Sequence, residues 1–206
     1  MAMGTAETRE KLLDAAECLL LTEGYSRTSI DAVCARASLT KGSLYHHFKT
    51  KEDLAITVLE RWLARNGGIL SEGPHTSASD PVEAALLYIG HVADSAGRLW
   101  SSGCLVGSLS MDLAASSDRM QQCVEAMFKG FVAEHAELFA PLIATSPHRN
   151  TPTPEELAEM FLSTIEGAIV VGKSYRDPSP LVRSIRCFGY FAQQLAGRDA
   201  APLTTE

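Results

Sequence analysis

A short polar segment near the N-terminus has the residue types that contact nucleic-acid phosphates and bases. Residues 25–51 contain five basic side chains, one acidic side chain and the adjacent histidines His46 and His47. Lysine, serine, threonine and tyrosine donate hydrogen bonds to phosphates and to base edges. The whole chain of 206 residues has a net charge of −7, so this positive field is local. The segment therefore predicts a small DNA-reading face on an acidic protein.

The elements that would position this segment are three helices. Residues 6–23 place leucines and alanines on one stripe, and Gly24 is typical of a helix C-terminal cap. Thr28 and Ser29 offer a cap for a short second helix, and a brief break leads into a third, Thr40 to Phe48. Two short helices joined by a tight turn predict a helix-turn-helix, whose second helix enters the major groove.

The segment from residue 28 to residue 54 also resembles the DNA-binding signature of the TetR family of transcriptional regulators. The stretch Gly-Ser-Leu-Tyr-His-His-Phe-Lys-Thr-Lys-Glu-Asp-Leu at 42–54 is its most diagnostic part, and the resemblance covers roughly residues 8–60. It implies a repressor that binds a palindromic operator in double-stranded DNA as a homodimer and is released by a small-molecule inducer. A transcriptional activator of the same fold is an alternative that the sequence does not separate.

Nine positions are predicted to contact DNA, either through base edges near the start of the third helix or through phosphates. Gly42 would let the duplex backbone approach closely, while Tyr45 and His46 suit phosphates or a thymine methyl. The predicted set is Thr28, Ser29, Thr40, Lys41, Gly42, Ser43, Tyr45, His46 and Lys51.

Beyond this segment the chain again shows helical periodicity and no strand-like alternation, so the predicted fold class is all-α with about nine helices. A helix opening at Lys51 is expected to end near Asn66-Gly67-Gly68. Residues 67–80 are rich in glycine and serine and predict a connection. We therefore predict a helix-turn-helix DNA-binding domain at 1–66 and a helical effector-binding and dimerisation domain at 67–206. The later helices are expected at about 80–97, 103–115, 118–140, 154–174 and 179–197.

The last two helices carry apolar stripes with small residues that would let helices approach closely. The family resemblance implies that such a pair forms a four-helix bundle with its copy, although the same stripes could face the protomer core. The predicted interface is Phe161, Thr164, Gly167, Ala168, Leu181, Ile185, Phe188 and Phe191.

The middle helices are rich in large side chains of the kind that line an apolar pocket with polar anchors. Singly, each is more often a core residue. The resemblance implies an inducer cavity in this region, and the predicted lining is Tyr88, His91, Trp100, Cys104, Met111, Met127, Phe128 and Phe131.

Cys104 lies in a Gly-Cys segment, residues 102–109, that is similar to one found in a group of these regulators. Some relatives use a cysteine to sense electrophiles or oxidants, so a redox sensor is an alternative function, whereas a buried small side chain is the simpler interpretation. The five cysteines are scattered without a CxxC pair, and the histidines are scattered or adjacent. We therefore predict no disulfide framework, no metal site and no cofactor.

Composition and motifs restrict the remaining classes. The absence of an apolar run of roughly 18 residues and the early charges predict a cytoplasmic protein without a membrane partner. The sequence shows no GxSxG, HExxH, Walker or GxGxxG pattern, so an enzyme is not expected. A protein-interaction module that does not bind DNA is a further alternative.

Overall fold

The computed structural model describes residues 4–113 and 118–198. Within these ranges the chain forms nine α-helices, one short 3₁₀ helix at Pro74–Ser77 and no strand. None of the described helices is long and apolar enough to cross a membrane. The α-helices are α1 Thr5–Glu23, α2 Ile30–Ala37, α3 Lys41–His47, α4 Lys51–Ser71, α5 Pro81–Trp100, α6 Leu105–Leu113, α7 Asp118–Ala144, α8 Pro154–Tyr175 and α9 Ser179–Leu195.

The all-α prediction is confirmed, and the capping signals explain most helix ends. Gly24 ends α1 with a φ of 82°, in the left-handed region that favours glycine. The Asp80 side chain accepts a hydrogen bond from the Val82 N–H at the start of α5. Thr153 and Glu156 form a capping box at the start of α8, where each side chain satisfies the other residue's backbone N–H.

The predicted end of α4 near Asn66-Gly67-Gly68 is a few residues too early, because the helix continues to Ser71. A glycine in a helix costs only about 1 kcal/mol relative to alanine, so two do not force a stop. The carbonyl of Ile69, in the added turn, lies 2.8 Å from Nε2 of His91. The predicted connection at 67–80 is therefore largely helical, since the 3₁₀ helix follows directly.

Two compact units form within the chain. The first contains residues up to Arg65 together with 102–127, and the second contains residues 66–101 and those from 128 onward. The predicted division at residue 66 stays a prediction.

The core of the first unit is apolar and small. Leu12 and Leu13 on α1 are fully buried, as are Leu44 on α3 and Val58 on α4. On the outside of this core, Arg61 of α4 donates to carboxylates of α1, at 2.9 Å from Oε2 of Glu17. These contacts fix α4 against α1, so the helices that flank α2 and α3 form a stable support.

Aromatic rings fill the core of the second unit. Phe161 on α8 is fully buried, with its ring centroid 4.8 Å from that of Phe188 on α9 and 5.4 Å from that of Phe139 on α7. This packing joins α7, α8 and α9 within one protomer.

The same packing involves most of the residues predicted for the dimer interface. Five of the eight predicted residues are buried inside the protomer, because they form the face on which α8 and α9 pack against their own chain. These five are Phe161, Ala168, Leu181, Ile185 and Phe188. Thr164, Gly167 and Phe191 are half-buried or exposed.

Replacing Phe161 by alanine is expected to lower the free energy of unfolding by about 3–5 kcal/mol, because the substitution opens a cavity among four neighbouring rings. Urea unfolding followed by circular dichroism measures the change. Phe161→Leu, which keeps most of the volume, is the control and should lose less than half as much. A loss that disappears at high protein concentration would contradict the core assignment and indicate an interface residue.

Candidate nucleic-acid interface

Helices α2 and α3 are held at a fixed corner by backbone capping. The Ser29 hydroxyl accepts from the Ala32 N–H at the start of α2, and Thr40 Oγ1 accepts from the Ser43 N–H at the start of α3. Ser38 ends α2 in the left-handed conformation with a φ of 55°, and the next amide, Leu39 N–H, donates to the Cys34 carbonyl. The turn therefore contains its own hydrogen bonds and orients α3 without a longer loop.

Apolar side chains then fix the face that α3 presents. Leu44 is fully buried and Phe48, which caps the end of α3, is 4 % exposed. Val33 of α2 is also buried, as expected for the miniature core. The guanidinium of Arg9 on α1 lies 5.6 Å from the Phe48 ring centroid. With this side of α3 packed, its opposite side faces solvent.

The exposed side of α3 carries the residues predicted to read DNA. Lys41, Gly42, Tyr45 and His46 are exposed, and Tyr45 is 52 % exposed although it is aromatic. The Lys41 Nζ lies 2.8 Å from Oδ1 of Asp31 on α2. A Cβ at Gly42 would meet only the Thr40 hydroxyl, at 3.7 Å. The fold itself would therefore accept a side chain at Gly42, and the bare backbone faces outward.

The histidine pair behaves as expected for neighbours on a helix, since successive side chains point about 100° apart. His46 is exposed while His47 is half-buried, and their ring centroids are 5.2 Å apart in an edge arrangement. Among the described residues no group of three metal-ligating side chains is found.

Thr28 and Lys51 differ from the prediction in their surroundings. Thr28 is buried, and both its hydroxyl and its N–H donate to the Gly24 carbonyl, so it orders the turn before α2. Lys51 is half-buried, with its Nζ 4.2 Å from the Tyr25 ring centroid. Burial lowers the pKa of Lys51, and the charge of Asp112 opposes that shift. Ser29 is exposed at the start of α2.

Comparison with known proteins agrees with this geometry in both halves of the chain. Residues 12–58 match the model of bacterial regulatory proteins of the tetR family. Residues 81–186 match the model of the LmrA/YxaF-like transcriptional regulator C-terminal domain, which covers more than half of the chain. The chain belongs to the TetR family.

Curated TetR-family relatives extend over most of the chain. The transcriptional regulator AcuR of Cereibacter sphaeroides is 28 % identical over 171 residues, which are 82 % of this chain and 78 % of that protein. The transcriptional repressor DhaR of a Mycobacterium species is 26 % identical over 179 residues, 87 % of this chain and 89 % of that protein. A crystal structure of a TetR regulatory protein from Rhodobacter sphaeroides superposes with a TM-score of 0.73 at 26 % identity, covering 87 % of this chain and 96 % of that one.

The residues predicted to line an effector pocket are divided between the two units of this TetR-family protein. Cys104, Met111 and Met127 belong to the first unit, whereas the other five belong to the second. Met111 is 86 % exposed, because Leu105 and Leu109 occupy the buried face of α6. Trp100 is half-buried at the end of α5.

Within the second unit, Tyr88, His91 and Phe131 belong to one cluster of rings that also contains His75 and His135. Tyr88 is buried, and its ring lies 5.0 Å from His75 and 5.3 Å from His135. Phe131 stacks on His135 at 3.8 Å, and His75 lies 6.0 Å from His91. Phe128 instead lines a separate open groove of about 740 Å³ between α7 and α8.

Hydrogen bonds define the protonation state inside the ring cluster, which we call the Tyr88–His135 cluster. Nδ1 of His135 donates to the Phe131 carbonyl at 2.8 Å, so its Nε2 accepts from the Tyr88 hydroxyl at 2.7 Å. Burial lowers the pKa of His135 to about 4, and it raises the pKa of Tyr88 with a further contribution from Glu134. Both groups are neutral near pH 7.

The sequence analysis missed His75 as a member of this cluster, because its segment was interpreted as a connection. Gly73 gives a signal that is visible only in the structure: a Cβ there would lie within 2.6 Å of the His75 and His91 rings. Burial, followed by the charge of His91, lowers the pKa of His75. Within the described part of the chain, Nδ1 of His75 is buried without a hydrogen-bond partner.

Cys104 is buried just before α6, where its Sγ accepts the Gly107 N–H at 3.4 Å. A side-chain acceptor at this position serves as a helix cap. Burial favours the structural interpretation of this thiol, and its reactivity stays untested.

The pKa of His135 predicts a loss of stability in mild acid. The imidazole titrates near 6.5 when unfolded and about 4 when folded, so the unfolded state binds the extra proton first as the pH falls. The stabilisation is present above pH 6.5 and is lost toward pH 4. Between pH 7 and pH 5 the free energy of unfolding should fall by about 2 kcal/mol from this residue.

Urea titrations at the two pH values measure this loss in the wild type and in His135→Gln, which has no titrating ring. The variant should be less stable at pH 7 but show a smaller decrease between pH 7 and pH 5. Equal pH dependence of the two proteins would contradict the assignment of a buried, neutral His135.

Proposed function

We propose that this TetR-family regulator is a repressor that binds a palindromic operator as a homodimer and is released by a small-molecule inducer. The observation that carries the proposal is the capped α2–α3 corner, which leaves Lys41, Gly42, Tyr45 and His46 exposed on one side of α3. A seven-residue helix contacts only a few base pairs, so useful affinity requires two copies.

Two kinds of DNA contact are proposed at this corner, one with base edges and one with phosphates. Lys41 is the first residue of α3 and is proposed to contact a base edge. Tyr45 lies one turn later on the same helix. Ser29 is exposed at the start of α2, so a phosphate can approach this helix end. The open backbone at Gly42 supports close approach of the duplex.

A surface for the second protomer is present on the outer faces of α8 and α9. Large apolar side chains there are exposed: Met160, Val170, Val171, Tyr175, Tyr190 and Phe191. Gly167 lies on the same side of α8 with open space where a Cβ would be, which suits close helix packing. Exposed apolar residues concentrated on two adjacent helices are typical of an interface. The proposed surface keeps Gly167 and Phe191 from the predicted interface and adds the other exposed residues of these two helices.

The inducer is proposed to act by changing the spacing of the two α3 helices, which must match successive major grooves about 34 Å apart. A coupling of about 1–3 kcal/mol is usual for such transitions. The Tyr88–His135 cluster and the groove beside Phe128 are the two places in the second unit where ligand screening should begin. Equal operator affinity with and without every saturating ligand found would contradict release by an inducer.

Replacing Lys41 and Tyr45 together by alanine is expected to weaken operator binding by at least about a hundredfold, because each side chain is lost twice in a dimer. Footprinting on DNA upstream of the protein's own gene identifies the operator, and fluorescence anisotropy measures affinity. Arg149→Ala removes an exposed positive charge from a loop outside α3 and should change affinity by less than about threefold. Unchanged binding in the double variant, with its helix content intact, would favour an interaction module.

Replacing Val170 by glutamate is expected to weaken dimerisation by at least about a hundredfold, because the two-fold symmetry would bury a pair of unpaired charges. Sedimentation equilibrium measures the dissociation constant. Met111→Glu places the same charge on an exposed residue of α6 and serves as the control. If both variants remain dimers with wild-type affinity, the outer face of α8 and α9 is not the interface.

A further inference from the structure

An ion pair joins the two helices of the DNA-reading corner. The Nζ of Lys41, the first residue of α3, lies 2.8 Å from Oδ1 of Asp31, in the first turn of α2. Both side chains are more than half exposed. Asp31 is the one acidic residue in the sequence from 25 to 51, among five basic residues. The only acidic side chain of this segment therefore contacts the lysine at the start of α3.

The fold does not need this pair. The corner is already fixed by the Ser29 and Thr40 caps and by the buried Leu44 and Phe48. Ion pairs between exposed side chains contribute little to stability, because water and salt screen them and both side chains lose freedom. An acidic residue also weakens attraction to DNA at a surface that approaches phosphates. Asp31 lies in the first turn of α2, where a carboxylate is favoured by the helix dipole whether or not it contacts Lys41. Helix formation therefore accounts for an acidic residue at this position but not for its contact with the lysine of α3.

The effect of the pair on Lys41 is specific. The hydrogen bond from Lys41 and the charge of Asp31 raise the pKa of the lysine, so the ammonium stays protonated and the pair stays ionic at neutral pH. An ammonium group has three N–H donors, and the Asp31 carboxylate occupies one of them. The other donors remain available to acceptors such as guanine O6 and N7. The Asp31 carboxylate therefore offsets the positive charge that Lys41 presents to a phosphate. The remaining N–H donors of Lys41 can still form directional hydrogen bonds.

We propose that Asp31 is a specificity-determining residue of this regulator, which neutralises Lys41 toward phosphates and orients its ammonium toward a base edge. The inference rests on the proposed function, since it assumes that α3 reads an operator. Asp31 acts through Lys41 and is a positioning residue. Binding to arbitrary DNA is weakened by the pair, while binding to the operator keeps its lysine contact.

The experiment compares the full-length wild type with Asp31→Asn, which keeps the size of the side chain and removes its charge. Two duplexes are used: one selected by the wild type from a random library, and a scrambled duplex of the same composition. Anisotropy titrations from 50 to 200 mM NaCl measure the affinity and its salt dependence. Freeing one lysine in each protomer should steepen the slope of log affinity against log salt by about 1.8 for a dimer. Affinity for the scrambled duplex should rise by about tenfold at low salt, and preference for the selected duplex should fall.

Two controls assign the effect to the ion pair. Lys41→Met alone and combined with Asp31→Asn completes a double-mutant cycle, and the effect of Asp31→Asn should disappear when the lysine is absent. Glu23→Gln removes an exposed acidic charge at the end of α1 and should leave the preference between duplexes unchanged. Thermal unfolding verifies that Asp31→Asn remains folded.

The outcomes separate this inference from the proposed function. A wild type that selects no sequence from the library would overturn the proposed function itself. A wild type that selects a sequence while Asp31→Asn keeps the same salt slope and the same preference would overturn the role of Asp31 alone. An equal gain of affinity in the Lys41→Met background would also overturn it, because the charge would then act on the whole surface and not through Lys41.

Discussion

Burial of Leu44 and Phe48 is the interaction on which the DNA-reading surface depends. A helix of seven residues is unstable alone, because nucleating it fixes several residues for few hydrogen bonds. The Thr40 cap offsets part of that cost, and packing against the first unit's core determines which side of α3 faces solvent. Because this packing buries one side of the short helix, the polar residues on the other side face solvent in a fixed orientation. The functional face is thus a consequence of a very small hydrophobic core.

Features that depend on local chemistry could be predicted from the sequence. The cap at Ser29 and the helix end at Gly24 require only residues within one turn. The end of α4 could not be predicted in this way, because two adjacent glycines suggest a helix end but cost only about 1 kcal/mol each inside a helix. The helix continues through Gly67 and Gly68 to Ser71. No atom lies within 4 Å of a Cβ built at either glycine, so the structure shows no local reason for them.

Periodicity identified the apolar stripes of α8 and α9 but could not assign them to a partner. Phe161 and Ile185 are fully buried in the protomer, while Val170 and Tyr190 are exposed on the same two helices. A helix that is apolar on two faces has one stripe for its own core and one for another surface, and spacing alone does not say which is which. The periodicity predicts Phe161 and Phe188 at the interface, whereas the structure buries both rings where α7, α8 and α9 pack together. The side of each helix becomes evident only from the tertiary contacts.

Contacts between side chains across the corner are the part of the site that sequence spacing cannot show, and they change how its charge acts. Lys41 lies against Asp31, and Lys51 lies against the ring of Tyr25. Long side chains that are ordered before binding lose less entropy when a ligand arrives, and each immobilised side chain otherwise costs about 0.5–1.5 kcal/mol. The contact between Lys41 and Asp31 also reduces the charge available to phosphates in a chain whose net charge is −7. A surface arranged in this way gains affinity through correctly placed donors more than through attraction to any polyanion, and such placement is what discrimination between DNA sequences requires.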